Sequence, residues 1–308
     1  MDIFVIVKQL VQLFLMLFLG YFLCKVGIFD RHTNQKMTKL CLYVTTPCLI
    51  LTSVLQQEGT PDYHLVALTF AVAFGYYIVM PFIGWLMTVV LRLPKKNRGL
   101  YIFMSVFENT GFMGIPLINA IYGSVGVVYT AIFNVAFNLS AFSYGPAVLN
   151  IGMNRSSKTS LKEVLSPGTV LSLLTIVIYV TGVRLPSIVT GVVSSVGAIT
   201  SPMAMMLTGA ALALMDIRTV FTDIHVYPFL AVRQFIFPLL VFPLFALLIK
   251  DPVLLGVSFI MTIMPCASNC VLFATNYDND EELAARTVFI STMLSLISIP
   301  LLVKLCLV

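Results

Sequence analysis

The sequence predicts an all-α integral membrane protein with ten transmembrane helices, arranged as two inverted five-helix repeats in which helices 4 and 9 are broken. Three observations predict it. Hydrophobic residues make up 59% of the 308 residues and charged residues only 10%, against about 25% charged in soluble domains. Apolar runs long enough to cross a bilayer recur along the whole chain. Two of them, one in each half, are interrupted in mid-segment by Pro and Gly beside polar side chains.

Span 1 covers about Ile3 to Leu23. It has no small-residue cleavage site and more spans follow it, so it reads as a span and not as a signal peptide. Lys8 within it is expected to snorkel to the outer interface. Span 2, about Leu40 to Leu55, carries Thr45-Thr46-Pro47. Span 3, about Leu65 to Leu91, contains Pro81. Span 4, about Gly99 to Ile121, holds the first break, Glu108-Asn109-Thr110-Gly111-Phe112-Met113-Gly114-Ile115-Pro116. Span 5 is about Val127 to Leu149. Span 6, about Pro167 to Val183, follows a polar loop, Asn154 to Lys162. Span 7 is preceded by the run Ser187 to Gly197, read as a short interfacial helix or as the span's first turns. It carries Thr200-Ser201-Pro202 and ends near Met215. Span 8, about Tyr227 to Ile249, contains Pro238 and Pro243. Span 9, about Pro252 to Thr275, holds the second break, Ile263-Met264-Pro265-Cys266-Ala267-Ser268-Asn269-Cys270. Span 10 is about Ala284 to Val303.

Thirteen Lys and Arg fall in the loops after odd-numbered spans and three, Arg184, Lys250 and Lys304, on the other side. This predicts cytoplasmic odd-numbered loops and both termini outside a plasma or inner membrane. The net charge of +5 is spread over these loops, so it is not a nucleic-acid signal. Pro47, Pro81 and Pro116 have counterparts in Pro202, Pro238 and Pro265, at offsets of 155, 157 and 149 residues. An internal repeat follows: residues 1–152, a cytoplasmic loop at 153–165, and residues 166–308. Five spans per repeat is an odd number, so the second copy is inverted.

In hydrocarbon, a broken helix survives only where it is buried in protein or lines a watery cavity. Paired broken helices in inverted repeats mark the site of secondary transporters. Proline suits the first helical position, so Pro116 and Pro265 are expected to start half-helices whose N-termini meet near the midplane. Helix N-termini favour anions. Asn109, Thr110, Ser268 and Asn269 add neutral donors. The expected substrate is a small organic anion. Glu108 is an intramembrane acid, hence a candidate coupling group; the alternative is that it pairs with Lys8 or Arg233. On a regular helix it would point about 100° away from Asn109. Arg233 is expected to snorkel to the inner side. Cys266 and Cys270 are expected to share a helix face at i, i+4. Cys24, Cys41, Cys48 and Cys306 read as small packing residues. The three histidines are scattered, so no metal site is expected. No HExxH pair and no intramembrane aspartate pair suits hydrolysis, so an enzyme is not expected.

Asn109-Thr110-Gly111-Phe112-Met113-Gly114-Ile115-Pro116-Leu117 resembles the auxin efflux carrier family, which carries N-T-x-x-x-G-[IL]-P-L in its fourth span. Met264 to Asn269, Ala274, Ser291 to Ser295, and Gly209 to Ala213 after Pro202 are similar as well, so the resemblance covers essentially the whole chain. It implies crossed helices 4 and 9, with Asn109 at the crossover. A substrate site follows from Asn109, Thr110, Gly111, Gly114, Pro116, Pro265, Ala267, Ser268 and Asn269, and a pocket wall from Thr45, Thr46, Pro47, Ser201 and Pro202. It also implies a scaffold of spans 1, 2, 6 and 7, a moving unit of spans 3–5 and 8–10, elevator-type access and a homodimer. Malonate, malate or an auxin-like acid are the implied substrates. No cofactor is expected beyond a coupling ion, H+ or Na+. The chain departs from the family's plant exporters in lacking a long central loop, and Glu108 is not part of the pattern. Two alternatives stay open: a sodium-coupled symporter resembling bile-acid carriers, and a membrane sensor that binds without transporting.

Overall fold

The computed structural model describes residues 3–55, 62–153, 170, 173–174, 177–178, 180–183, 185–214 and 220–307. The inter-repeat loop from Asn154, most of span 6, Arg184 and Arg218 lie outside the described residues. The described residues are mostly helical, and the only β-structure among them is one isolated antiparallel bridge.

The helices follow the predicted spans closely. Helix α1 is Ile3–Lys25 and α2 is Arg31–Leu40, which continues through a π-helical turn, Cys41–Thr45, into α3, Thr46–Leu55. Helix α4 is Tyr63–Val90 and α5 is Arg98–Val106. After the first break comes a π-helical turn, Thr110–Gly114, and then α6, Ile115–Ser143. A short α7, Gly145–Leu149, follows. In the second half lie α8, Ser187–Ala198, and α9, Thr200–Ala213. Next are α10, Val226–Ala231, a third π-helical turn, Val232–Ile236, and α11, Phe237–Leu248. Helices α12, Pro252–Ile263, and α13, Asn269–Asn276, flank the second break, and α14 is Glu281–Cys306. The Ser187 to Gly197 run is therefore helical, joined to α9 at Ile199.

Each π-helical turn ends two residues before a proline: Thr45 before Pro47, Gly114 before Pro116 and Ile236 before Pro238. Proline has no N–H and crowds the carbonyl one turn back. Widening the preceding turn by one residue relieves that clash. Gly123 interrupts α6 at φ 62° and ψ −152°, a conformation open essentially to glycine alone. It falls where the sequence separates span 4 from span 5.

Many large apolar side chains point outward, while the interior holds polar groups among its apolar ones. Leu15, Phe18 and Phe22 on α1, Ile78 and Phe82 on α4, Leu240 and Leu247 on α11, and Ile297 and Leu305 on α14 are exposed. Glu108, Arg233, Gln234, Asn109, Ser291 and Ser298 are buried. An apolar surface around an interior that holds charged and polar groups belongs to a chain solvated by lipid. Five described stretches are long and apolar enough to cross a membrane: Tyr63–Val90, Thr110–Ser143, Ser187–Ala213, Val226–Leu248 and Glu281–Cys306.

Helices α1 and α9 touch backbone to backbone, with Gly20 against Met206 and Gly209 against the Leu17 carbonyl. Gly197 of α8 abuts α3, where an added Cβ would fall 2.8 Å from Leu49 N. Small residues permit such approach where lipid supplies no hydrophobic drive between helices. Lys25 Nζ donates to Ala213 O at 2.9 Å, so α1 and α9 end on the same face. On that face Asn97 Nδ2 donates to Asp280, Asn279 Nδ2 to Leu149 O and Gly99 N to Ile151 O, and Arg31 lies 3.7 Å from Glu281. Among the described residues, the ends of spans 1, 3, 5, 7 and 9 thus gather on one face. On the other, Tyr63 Oη donates to Val180 O.

Candidate site at the helix crossover

The two breaks cross and bond to each other. Asn109 N donates to Pro265 O at 2.8 Å and Ala267 N donates to Phe107 O at 3.0 Å, with Glu108 and Cys266 opposite one another in an antiparallel bridge. Each break supplies part of what the other needs for its freed backbone groups, the condition for irregular structure at membrane depth. Glu108 and Cys266 stand 158 residues apart. That agrees with the 155 and 157 of the first two proline pairs. Pro265 itself lies opposite Asn109, seven residues before Pro116.

The half-helix starts also differ from expectation. Pro116 is the second residue of α6, but helical winding has already resumed at Thr110. Pro265 starts no helix; α13 begins at Asn269. The Pro265 segment is extended because its carbonyl is engaged across the crossover, a long-range demand that overrides local proline preference. Cys266 therefore lies outside α13 and shares no helix face with Cys270. Both thiols instead donate to the end of α5, Cys266 Sγ to Met104 O and Cys270 Sγ to Phe107 O.

Asn109 is the centre of an inverse γ-turn, φ −78° and ψ 61°, closed by Thr110 N to Glu108 O at 2.8 Å. Its Oδ1 accepts from Phe112 N at 3.2 Å and caps the second half of the helix. That bond assigns the amide orientation, so Nδ2 carries the donors. Nδ2 is buried and has no hydrogen-bond partner. Gly111 beside it is half-buried, with open space where a Cβ would stand. Because the backbone at Glu108 and Asn109 is not helical, the 100° separation does not apply. Glu108 turns to Tyr77 and Arg233, while Asn109 turns back onto its own helix start.

The remaining predicted residues divide by burial. Thr110, Gly114, Pro116, Pro265 and Ala267 are buried, and Gly114 packs on Met261 of α12. Ser268 and Asn269 are half-buried at the start of α13. The antiparallel register sets each restarting helix beside the end of the other's first half, so the Thr110–Gly114 turn contacts α12 and α13 contacts α5. Spans 2 and 7 border the first break. Leu49 and Ile50 of α3 pack with Ile115, and α9 packs on the Thr110–Gly114 turn. Thr45, Thr46 and Pro47 are buried; Ser201 and Pro202 are half-buried. Thr46 shares a face with Ile50 at i, i+4. The hydroxyls of Thr46 and of neighbouring buried Thr200 have no hydrogen-bond partner.

On the opposite side of the break, Tyr77 Oη donates to Glu108 Oε1 at 2.8 Å, and Arg233 Nη2 lies 3.9 Å from Glu108 Oε2, beyond a hydrogen bond. Arg233 is 2% exposed, so it does not snorkel. Lys8 is exposed, and the acid's partner is Arg233. Gln234 Nε2 donates to Ser291 O and to Ser298 Oγ, and Ser291 Oγ accepts from Cys266 N. Tyr77 and Gln234 were not singled out from sequence, and Ser291 entered only through the resemblance. The available signal was positional: Tyr76-Tyr77 precede Pro81 as Arg233-Gln234 precede Pro238. No group of three or more His, Cys, Asp or Glu that could hold a metal occurs among the described residues.

The chain matches the membrane transport protein family over residues 5–153 and 152–303. It is 24% identical over 304 residues to an uncharacterized transporter of Methanothermobacter thermautotrophicus, covering 96% of each chain. It is also 24% identical over 308 residues to the uncharacterized transporter MJ1031 of Methanocaldococcus jannaschii, covering 98% of this chain and 97% of the other. Protein ECM3 of Saccharomyces cerevisiae is 23% identical over 151 residues, 45% of this chain and 24% of its own. With the family matched along nearly its whole length, and the resemblance to auxin efflux carriers borne out, the chain belongs to the membrane transport protein family.

Proposed function

We propose that this transporter carries a small organic anion, a carboxylate such as malonate, malate or an auxin-like acid, bound at the crossover. The observation that carries the reading is Asn109. Its oxygen is engaged in capping the helix, its amide donors are buried without a partner, and Gly111, two residues on, has open space at its Cβ position. A neutral donor at a helix N-terminus suits an anion that must also leave. Thr110, Ser268 and Asn269, with the Thr45–Thr46–Pro47 and Ser201–Pro202 segments as a facing wall, complete the candidate site. Glu108 faces Tyr77 and Arg233, and we read it as a counter-ion to Arg233 before a coupling group.

The architecture we propose for this is ten spans in two inverted five-span repeats, supported by the family match over residues 5–153 and 152–303 and by two breaks that pair 158 residues apart. Spans 1, 2 and 7 pack together and spans 3, 4 and 5 pack together, which accords with a scaffold and an elevator-type moving unit. A homodimer in a cell membrane, with both termini outside, is part of the same reading.

Thermal shift of purified protein with malonate, malate, succinate and indole-3-acetate tests it, alongside Asn109→Ala and Asn109→Ser. Serine keeps a capping acceptor and loses the amide donors. The expected result is stabilisation by one carboxylate, lost in both variants. If sodium or a neutral solute stabilises and every carboxylate is silent, the bile-acid-carrier type of symporter takes its place. Tight binding with no flux in liposomes would make the protein a sensor.

A further inference from the structure

The ends of the two first halves, α5 and α12, meet the same side chain. Arg233 Nε donates to Ser105 O at 2.8 Å and Nη1 donates to Thr262 O at 2.7 Å. Both carbonyls belong to the last turn of a half-helix, where four carbonyls have no partner within the helix and the dipole is negative. Arginine is suited to this place, because its planar fork presents several donors in fixed relation and keeps its charge when buried. The π-helical turn before Pro238 carries Arg233 on a helix that belongs to neither break. Nη2 is left toward Glu108, so the acid balances the charge without being needed for either carbonyl bond.

We propose that Arg233 is a positioning residue for transport: it clasps the ends of α5 and α12 in one register, so that the two restarting helices hold their donors at a fixed spacing. This rests on the reading of the crossover as the substrate site. The competing account gives Arg233 one task, to neutralise Glu108.

Hydrogen–deuterium exchange of the purified full chain in nanodiscs separates the two without any substrate, so its failure would leave the substrate reading standing. Arg233→Lys keeps the charge beside Glu108 but replaces the two-armed fork by a single ammonium. The clasp predicts that peptides carrying Asn109 and Ala267 exchange faster by about tenfold in this variant, while peptides from α1 and α9 are unchanged. Lysine protecting the crossover as well as arginine does would overturn it. Glu108→Gln is the second variant, and decides the matter should Arg233→Lys not fold. The clasp predicts crossover exchange as in the unmodified protein, because both carbonyl bonds persist. Loosening there would mean that the charge pair is what holds the crossover.

Discussion

At the scale of single residues, the crossover sorts its polar groups by side. Asn109 faces its own helix start; Glu108 faces Tyr77 and Arg233. Tyr77→Phe removes the one hydrogen bond to Glu108 Oε1 at nearly constant volume. It should lower stability by about 1–3 kcal/mol, the range for leaving a buried acceptor unpaired, read as a reduced thermal midpoint in detergent. An unchanged midpoint would mean that the carboxyl finds another donor. Glu108 and Arg233 were each conspicuous in the sequence as charges within apolar runs. Their destinations were not legible, since Arg233 reaches Ser105 across 128 positions and no local pattern encodes such a pairing. Asn109 stood out in the sequence as a candidate, but its division into a capping oxygen and a free amide depends on backbone angles that composition does not specify.

Among the elements, the breaks were readable because Pro, Gly and polar residues have few uses in mid-membrane. Where each half-helix restarts was not, because proline's preference for helix starts is local and the crossover's hydrogen bonds are not. Pro116 follows a turn already wound at Thr110, and Pro265 lies in extended chain. The shared device is the widened turn ahead of Pro47, Pro116 and Pro238, which aims Thr45, Thr110 and Arg233 at positions an α-helix would not give them. Gly123 is the other element boundary with a sharp requirement. Nothing stands within 4 Å of its would-be Cβ, so the cost of Gly123→Ala is conformational and not steric. We expect a loss of about 1–3 kcal/mol, measured as a lower thermal midpoint. An unaltered midpoint would show that the turn between α6's two parts can be made another way.

Over the whole molecule, apolar length and the alternation of Lys and Arg predicted an order of spans, and among the described residues the ends of spans 1, 3, 5, 7 and 9 meet on one face. What sequence could not supply was the packing of one half on the other, as in the glycine contacts that seat α9 on α1. The proposed orientation is checked by reporters fused to the C-terminus: alkaline phosphatase should be active there and a cytoplasm-dependent fluorescent protein dark, and the reverse pattern would invert the topology. The bridge at the crossover also constrains the order of synthesis. Phe107 and Asn109 bond to residues that leave the ribosome about 158 positions later, roughly 8–30 s at ordinary elongation rates. Through that interval the first half is inserted with its central carbonyl and N–H unmet, so it must wait in the shelter of the insertion machinery or of water until the second half arrives.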